Sequence, residues 1–160
     1  MAPLLSLKAQ ALQWLSQREH SRLELRRKLL TAAHRRDADE QDATDPAPEV
    51  DALLDWLTAQ RYLSPARFVE SRVHARTARF GNRRIAQELA QHGAEVDAVT
   101  AEQLKTSELG RARAVWQRKF GPTPPGDARM RAKQMRFLAG RGFTAEVIRK
   151  VVRADADDDA

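Results

Sequence analysis

GNRRIAQELAQHG (residues 81–93), followed by AEVDAVTAEQL (residues 94–104), holds the pattern that decides the fold. Ile85 and Leu89 are four residues apart, one turn of a helix, so they share an apolar face. Gly81 ends the helix before them and Asn82 can cap the new one. Gly93 fits the left-handed position after a helix end, where a side chain would clash. Val96, Val99 and Leu104 then mark another helix. The same grammar returns as KQMRFLAGRG (133–142) with FTAEVIRKVVR (143–153). It also precedes, as SRLELRRKLL (21–30) and, after a loop, PEVDALLDWL (48–57). Leu89 to Leu138 is 49 residues, and Leu29 to Leu89 is 60, an excess of 11 that matches an acidic insertion. Strand-like alternation is missing throughout, so the fold is all-α. The spacing predicts three tandem three-helix repeats, 1–63, 64–105 and 106–153, with an acidic loop at about 34–47 and an acidic disordered tail at 154–160. Units this small lean on their neighbours, and rows of them bind along a surface and seldom enclose a pocket.

The local signals agree. Leu7, Ala11, Leu12 and Leu15 stripe the first helix. Ser21 and Glu24 have the Ser-x-x-Glu spacing of a capping box, and Leu25 and Leu29 follow on the buried face. Pro48 suits the first turn of a third helix carrying Val50, Leu53, Leu54 and Leu57. Ser64-Pro65 opens a fourth, with Phe68, Val69, Val73 and Phe80 as its contacts. A seventh helix starts near Thr106-Ser107 and carries Leu109, Ala112, Val115, Trp116 and Phe120. GPTPPG (121–126) stops it. Met135 and Leu138 face inward on an eighth, closed by Gly140 and Gly142. Thr144 caps a ninth, whose stripe is Val147, Ile148, Val151 and Val152, with Phe143 as a hydrophobic staple on Ile148.

Charge is unevenly spread. The net charge is +6, from 28 Lys and Arg against 22 Asp and Glu. Residues 37–49 hold six acids and no base, and the tail holds four more. Taking those ten away leaves 12 acids against 28 bases, a helical body of +16. A basic body with acidic appendages suits a polyanionic partner: nucleic acid, a nucleoprotein or an acidic protein surface. An Ala- and Arg-rich composition explains some of the excess but not the segregation of the acids.

Several function classes drop out. Cysteine is absent, which excludes disulfides and Cys-based metal or redox sites. No apolar run nears the ~18 residues of a membrane span and no signal peptide is evident, so the expected compartment is the cytoplasm. Phosphate-binding and dinucleotide Gly-rich loops are missing. His20, His34, His74 and His92 lack ligand partners at i+3 or i+4 and read as surface or cap residues. The expectation is a non-enzymatic chain with no cofactor and no metal. Trp14, Trp56 and Trp116 lie within apolar helix patterns and are expected in the core. With no exposed aromatic stripe in view, base-stacking recognition of single strands gets little support. A helix-turn-helix across residues 81–104 would aim Glu95, Asp97 and Glu102 at phosphates, the wrong charge.

The candidate binding residues are three basic clusters. Arg72, Arg76 and Arg79 stand at i, i+4 and i+7, one helical face, and Arg83 and Arg84 follow the Gly81 turn. With only Glu88 nearby to pair, such a row needs a polyanion or a partner's acids. Arginine suits the task because its planar fork grips phosphate or carboxylate with two bonds. Arg22, Arg26, Arg27 and Lys28 form a second cluster, and Arg129, Arg131, Lys133 and Arg136 a third.

SRLELRRKL, LLDWLTAQRYLSPARF, RFGNRRIAQELAQHG and FLAGRGFTAEVIRKVV occur in this order from about Leu7 to Val152. In that order they resemble the RecX family of bacterial regulatory proteins. The most specific tract runs Gln60-Arg61-Tyr62-Leu63, Arg67-Phe68, then Gly81, Arg84-Ile85 and Glu88-Leu89. The acidic insertion and the Asp-rich tail depart from a minimal member. The resemblance implies an elongated, curved molecule of three three-helix modules. It also implies a non-enzymatic monomer that lodges in the groove of the RecA–single-stranded-DNA filament. There it would inhibit filament growth, ATPase, strand exchange and co-protease activity, and so modulate recombination and the SOS response. The alternative is an autonomous basic nucleic-acid-binding protein that affects RecA only by competing for DNA.

Overall fold

The computed structural model describes residues 4–122 and 124–153, so the acidic tail lies outside the described residues. Among the described residues the chain is helical throughout: α1 (Leu7–Gln17), α2 (Arg22–Arg36), α3 (Ala47–Ala59), α4 (Pro65–Arg76), α5 (Asn82–Gln91), α6 (Ala98–Phe120), α7 (Ala128–Gly140) and α8 (Ala145–Arg153). The all-α expectation holds. None of these helices is long and apolar enough to cross a membrane.

The expected sixth and seventh helices are one. Asp97 caps α6 by accepting from the Thr100 amide at 2.7 Å, and the helix runs 23 residues to Phe120. Thr106 and Ser107 look like a cap in the sequence. Their hydroxyls instead bond back to the carbonyls of Gln103 and Leu104 at 3.2 and 3.3 Å, a use that helix interiors allow. No proline interrupts the span, and Gly121 at φ 75° supplies the stop.

The chain divides into two compact units. One comprises Met1–Ser71 with His92–Ala94, the other Arg72–Gln91 with Glu95–Ala160, so the helices of residues 64–105 are shared between them. In the first unit α2 packs on α1 and α3. Leu7, Ala11, Leu25, Leu29, Ala33, Val50, Leu54, Leu57 and Leu63 form its core. The connection from α2 to α3 covers 37–46, and its first acid is engaged: Arg36 bridges Asp37 at 2.7 Å and Glu49 at 3.1 Å. Ser21 caps α2 at 3.1 Å. Glu24 does not complete a capping box, because its carboxylate pairs with Arg18.

In the second unit α6, α7 and α8 pack together around Trp116, Leu138, Phe143, Ile148, Val151 and Val152. Phe143 and Ile148, the pair expected to form a staple, are both buried in this core. Trp116 is buried, and its indole N–H donates to Gln134 Oε1 at 2.8 Å, which satisfies the polar tip that burial would otherwise penalise. Trp56 breaks the expectation that every tryptophan is core: it is 37 % exposed and stacks on Tyr62.

Candidate functional site

A buried carboxylate and a half-buried guanidinium build the frame that carries the basic residues of the second unit. Glu108, on α6, is 4 % exposed. Its Oε1 accepts from the Asn82 amide at 3.1 Å and the Thr144 amide at 3.3 Å, and its Oε2 accepts from the Thr144 hydroxyl at 3.3 Å. One carboxylate thereby serves the starts of both α5 and α8, where free N–H groups and the helix dipole favour negative charge. Asn82 does not cap α5 with its own side chain, because its Oδ1 accepts from Arg111.

Arg111, one helical turn from Glu108, donates to the carbonyls of Phe80 at 2.9 Å and Leu104 at 3.2 Å. Burial pulls its pKa below the ordinary arginine value while the Glu108 charge opposes that pull. Arg118 adds a bond to the Ala78 carbonyl at 2.6 Å. These two arginines satisfy the frayed carbonyls after α4 and are structural. The turn is also locked from the other side: Gly81 donates to the Arg141 carbonyl at 2.8 Å and Arg83 to the Gly142 carbonyl at 3.0 Å.

On this frame the first arginine cluster splits. Arg72 bonds Glu88 at 2.9 Å, and Arg76 donates to it from Nε at 3.0 and 3.1 Å and from Nη2 at 3.0 Å. Burial disfavours the Glu88 carboxylate, but the hydrogen bonds and charges of Arg76 and Arg72 prevail and hold its pKa below the usual range. Arg79 does not continue the helical face, because α4 ends at Arg76, whose carbonyl receives the amides of both Arg79 and Phe80. It turns instead to the Phe80 ring.

Four guanidiniums gather on that ring: Arg84 at 4.1 Å, Arg79 at 5.4 Å, Arg141 at 5.5 Å and Arg76 at 5.9 Å from the centroid. A ring face holds such a cation by its quadrupole and leaves the N–H edge free to bind an anion. Among the described residues Arg79, Arg83, Arg84 and Arg141 have no carboxylate partner. Arg141 lies far from the others in sequence and escaped the charge pattern. Only the contact between the α7–α8 turn and the start of α5 brings it in.

The third cluster is the unpaired ladder that the first was expected to be. Arg129, Lys133 and Arg136 stand at i, i+4 and i+7 within α7. With Arg131 they are exposed and have no carboxylate partner among the described residues. The second cluster is largely engaged within its own unit. Arg22 pairs with Asp55 and Arg26 with Asp51, each at 2.7 Å. Lys28 lies 4.2 Å from the Trp14 ring centroid and donates to His20 Nε2 at 3.2 Å. Arg27 stays exposed. His20 is buried rather than at the surface. Among the described residues no group of His, Asp and Glu could hold a metal ion.

Residues 106–152 match the family model described as RecX, third three-helix domain. The chain is 50 % identical over 155 residues to the regulatory protein RecX of Ralstonia nicotianae, covering 95 % of this chain and 90 % of that one. It is 51 % identical over 160 residues to regulatory protein RecX of Leptothrix cholodnii, covering 98 % and 94 %. The crystal structure of RecX from Lactobacillus salivarius superposes with a TM-score of 0.65 at 16 % identity, over 92 % of this chain and 93 % of that one.

Proposed function

Since the chain belongs to the RecX family of regulatory, non-enzymatic proteins, we propose that it binds the RecA–single-stranded-DNA filament in the bacterial cytoplasm and inhibits RecA. The observation that carries this is the uncompensated charge of the second unit: Arg79, Arg84 and Arg141 on the Phe80 ring, with Arg129, Lys133 and Arg136 along α7. Like charges held so close repel one another, and a polyanion relieves that repulsion. A filament groove, walled by protein and floored by DNA, offers one over a long surface. Three repeats at 1–63, 64–105 and 106–153 would suit such a groove, and the protein would bind it as a monomer. Inhibition would extend to filament growth, ATPase, strand exchange and co-protease activity, and so to recombination and the SOS response.

The same arginines suit free phosphodiesters, which favours a second reading: a DNA-binding protein that acts only by competing for DNA. Preformed filaments separate the two. Under the first, free single-stranded DNA of equal length competes poorly for the protein. Under the second it competes fully, and adding it restores RecA's ATPase.

A further inference from the structure

We propose that Trp56 and Tyr62 form a platform in the first unit that stacks an unpaired nucleobase on Tyr62, with Lys8 over the Trp56 ring and Arg61 next to Tyr62 in the chain as cations for the strand's phosphates. The two rings stack with centroids 5.9 Å apart and planes 28° off parallel. Both remain open to solvent, Trp56 at 37 % and Tyr62 at 50 %. Large aromatics usually bury their area, so a stacked pair left at the surface calls for a partner. Lys8 Nζ lies over the Trp56 ring, 3.8 Å from its centroid, which places a positive charge on the Trp56 side of the pair and leaves the half-exposed Tyr62 ring as the open surface.

The platform is held rigid. The amides of Tyr62 and Leu63 both return to the Leu57 carbonyl, at 2.9 and 3.1 Å, closing the end of α3. Arg67 donates to the carbonyls of Arg61 at 2.7 Å and Tyr62 at 3.2 Å, and is itself fixed by Glu19 at 2.8 Å. Arg61 adopts φ 64°, and is the one non-glycine among the described residues with positive φ. Glycine ends helices this way without strain. An exposed arginine in that position accepts a disfavoured backbone, and such outliers point to function.

The chemistry favours a base over a protein side chain. A protein hot spot sets its ring among apolar neighbours that exclude water. Here the exposed residues that lead into Tyr62 are Thr58, Ala59, Gln60 and Arg61, and those that follow are the small Pro65 and Ala66 and the charged Arg67, with no large apolar side chain among them. The nearby acid Asp55 is already paired with Arg22. A stacked ring pair with a cation over one ring and an arginine beside the other in the chain fits a base and its phosphates, and stacking tolerates any base. This site goes beyond the proposed function, which rests on the second unit.

Anisotropy with a labelled oligothymidylate and an abasic strand of equal length tests it. Wild type should prefer the oligothymidylate. Tyr62→Ala should lose about five- to a hundredfold in affinity for the oligothymidylate and keep its affinity for the abasic strand. Tyr62→Phe should match wild type. An unchanged base preference in Tyr62→Ala, or none in wild type, overturns the proposal. So does a loss seen only on RecA filaments, which would assign the platform to a protein partner. Tyr62 enters the α3 turn through its backbone alone, so these variants leave the fold in place.

Discussion

Gly81 and Gly142 meet backbone to backbone. A Cβ on Gly81 would overlap the Gly142 carbonyl and the Phe143 amide, and one on Gly142 would sit 2.7 Å from the Arg84 nitrogen. This approach sets the start of α5 against the α7–α8 turn, and so brings Arg84 and Arg141 to the same ring.

Gly142→Ala should therefore be severe. Gly142 also sits at φ 87°, so the substitution combines backbone strain with overlap. A loss of about 2–4 kcal/mol is expected, read from urea unfolding. A change below about 0.5 kcal/mol, the scale of a neutral surface substitution, would mean that the turn and α5 do not meet so closely.

Glu108→Ala removes the acceptor for two helix starts and leaves the Asn82 and Thr144 amides unsatisfied. It should cost about 2–3 kcal/mol. Glu108→Gln keeps one acceptor oxygen and should recover part of that loss. Equal effects of the two variants in thermal melts would show that the caps contribute little.

Much of this was legible in the residues. The i, i+4 stripes and the Gly, Pro and Ser punctuation mark the helices, because each obeys a local rule. The join of the expected sixth and seventh helices is not legible, because Thr106 and Ser107 match a cap in sequence while their hydroxyls bond back to carbonyls of the same helix. The basic clusters were visible, but their pairing was not. Glu88 claims Arg72 and Arg76, and Asp51 and Asp55 claim Arg26 and Arg22, across distances in sequence that charge patterning does not span. Trp56 fits an apolar stripe by position. Only the turn at Arg61, which returns Tyr62 to it, shows why it stays at the surface.

The engaged second cluster serves as a control. Arg22→Gln with Arg26→Gln breaks two exposed ion pairs and should cost less than about 1 kcal/mol each, with little change in RecA inhibition. A loss of inhibition as large as that from the second-unit arginines would assign these residues to the interface as well.

His20 gives the protein a pH dependence. Burial lowers its pKa, with Arg18 and Lys28 adding to the shift and the Arg18 carbonyl and Glu24 opposing it. The ring is held neutral, with Nδ1–H donating to the Arg18 carbonyl at 3.0 Å. The unfolded chain takes up this proton first as pH falls. The stability His20 contributes is thus complete above about pH 6.5 and is lost as pH drops from there toward the folded pKa. Glu88 adds a second loss lower down, below about pH 4.3, as its depressed folded pKa is approached. The melting temperature should fall between about pH 7.5 and about pH 5.5, and His20→Asn should flatten that fall. An unchanged slope in the variant would remove His20 as its source.

RecA's ATPase on single-stranded DNA tests the central claim most directly. The comparison is between wild type and two variants, Arg79→Gln with Arg84→Gln, and Arg129→Gln with Lys133→Gln and Arg136→Gln. These side chains reach solvent and lack carboxylate partners among the described residues, so the α7 variant should change stability by no more than about 0.5 kcal/mol. The Arg79 and Arg84 variant gives up two contacts with the Phe80 ring and should lose about 1–2 kcal/mol. Wild type should suppress the ATPase of preformed filaments. Each variant should suppress it more weakly, and filament binding by each should fall less steeply with salt, because fewer phosphate or carboxylate contacts remain. Full inhibition by both variants, with the wild-type salt dependence, would contradict the account.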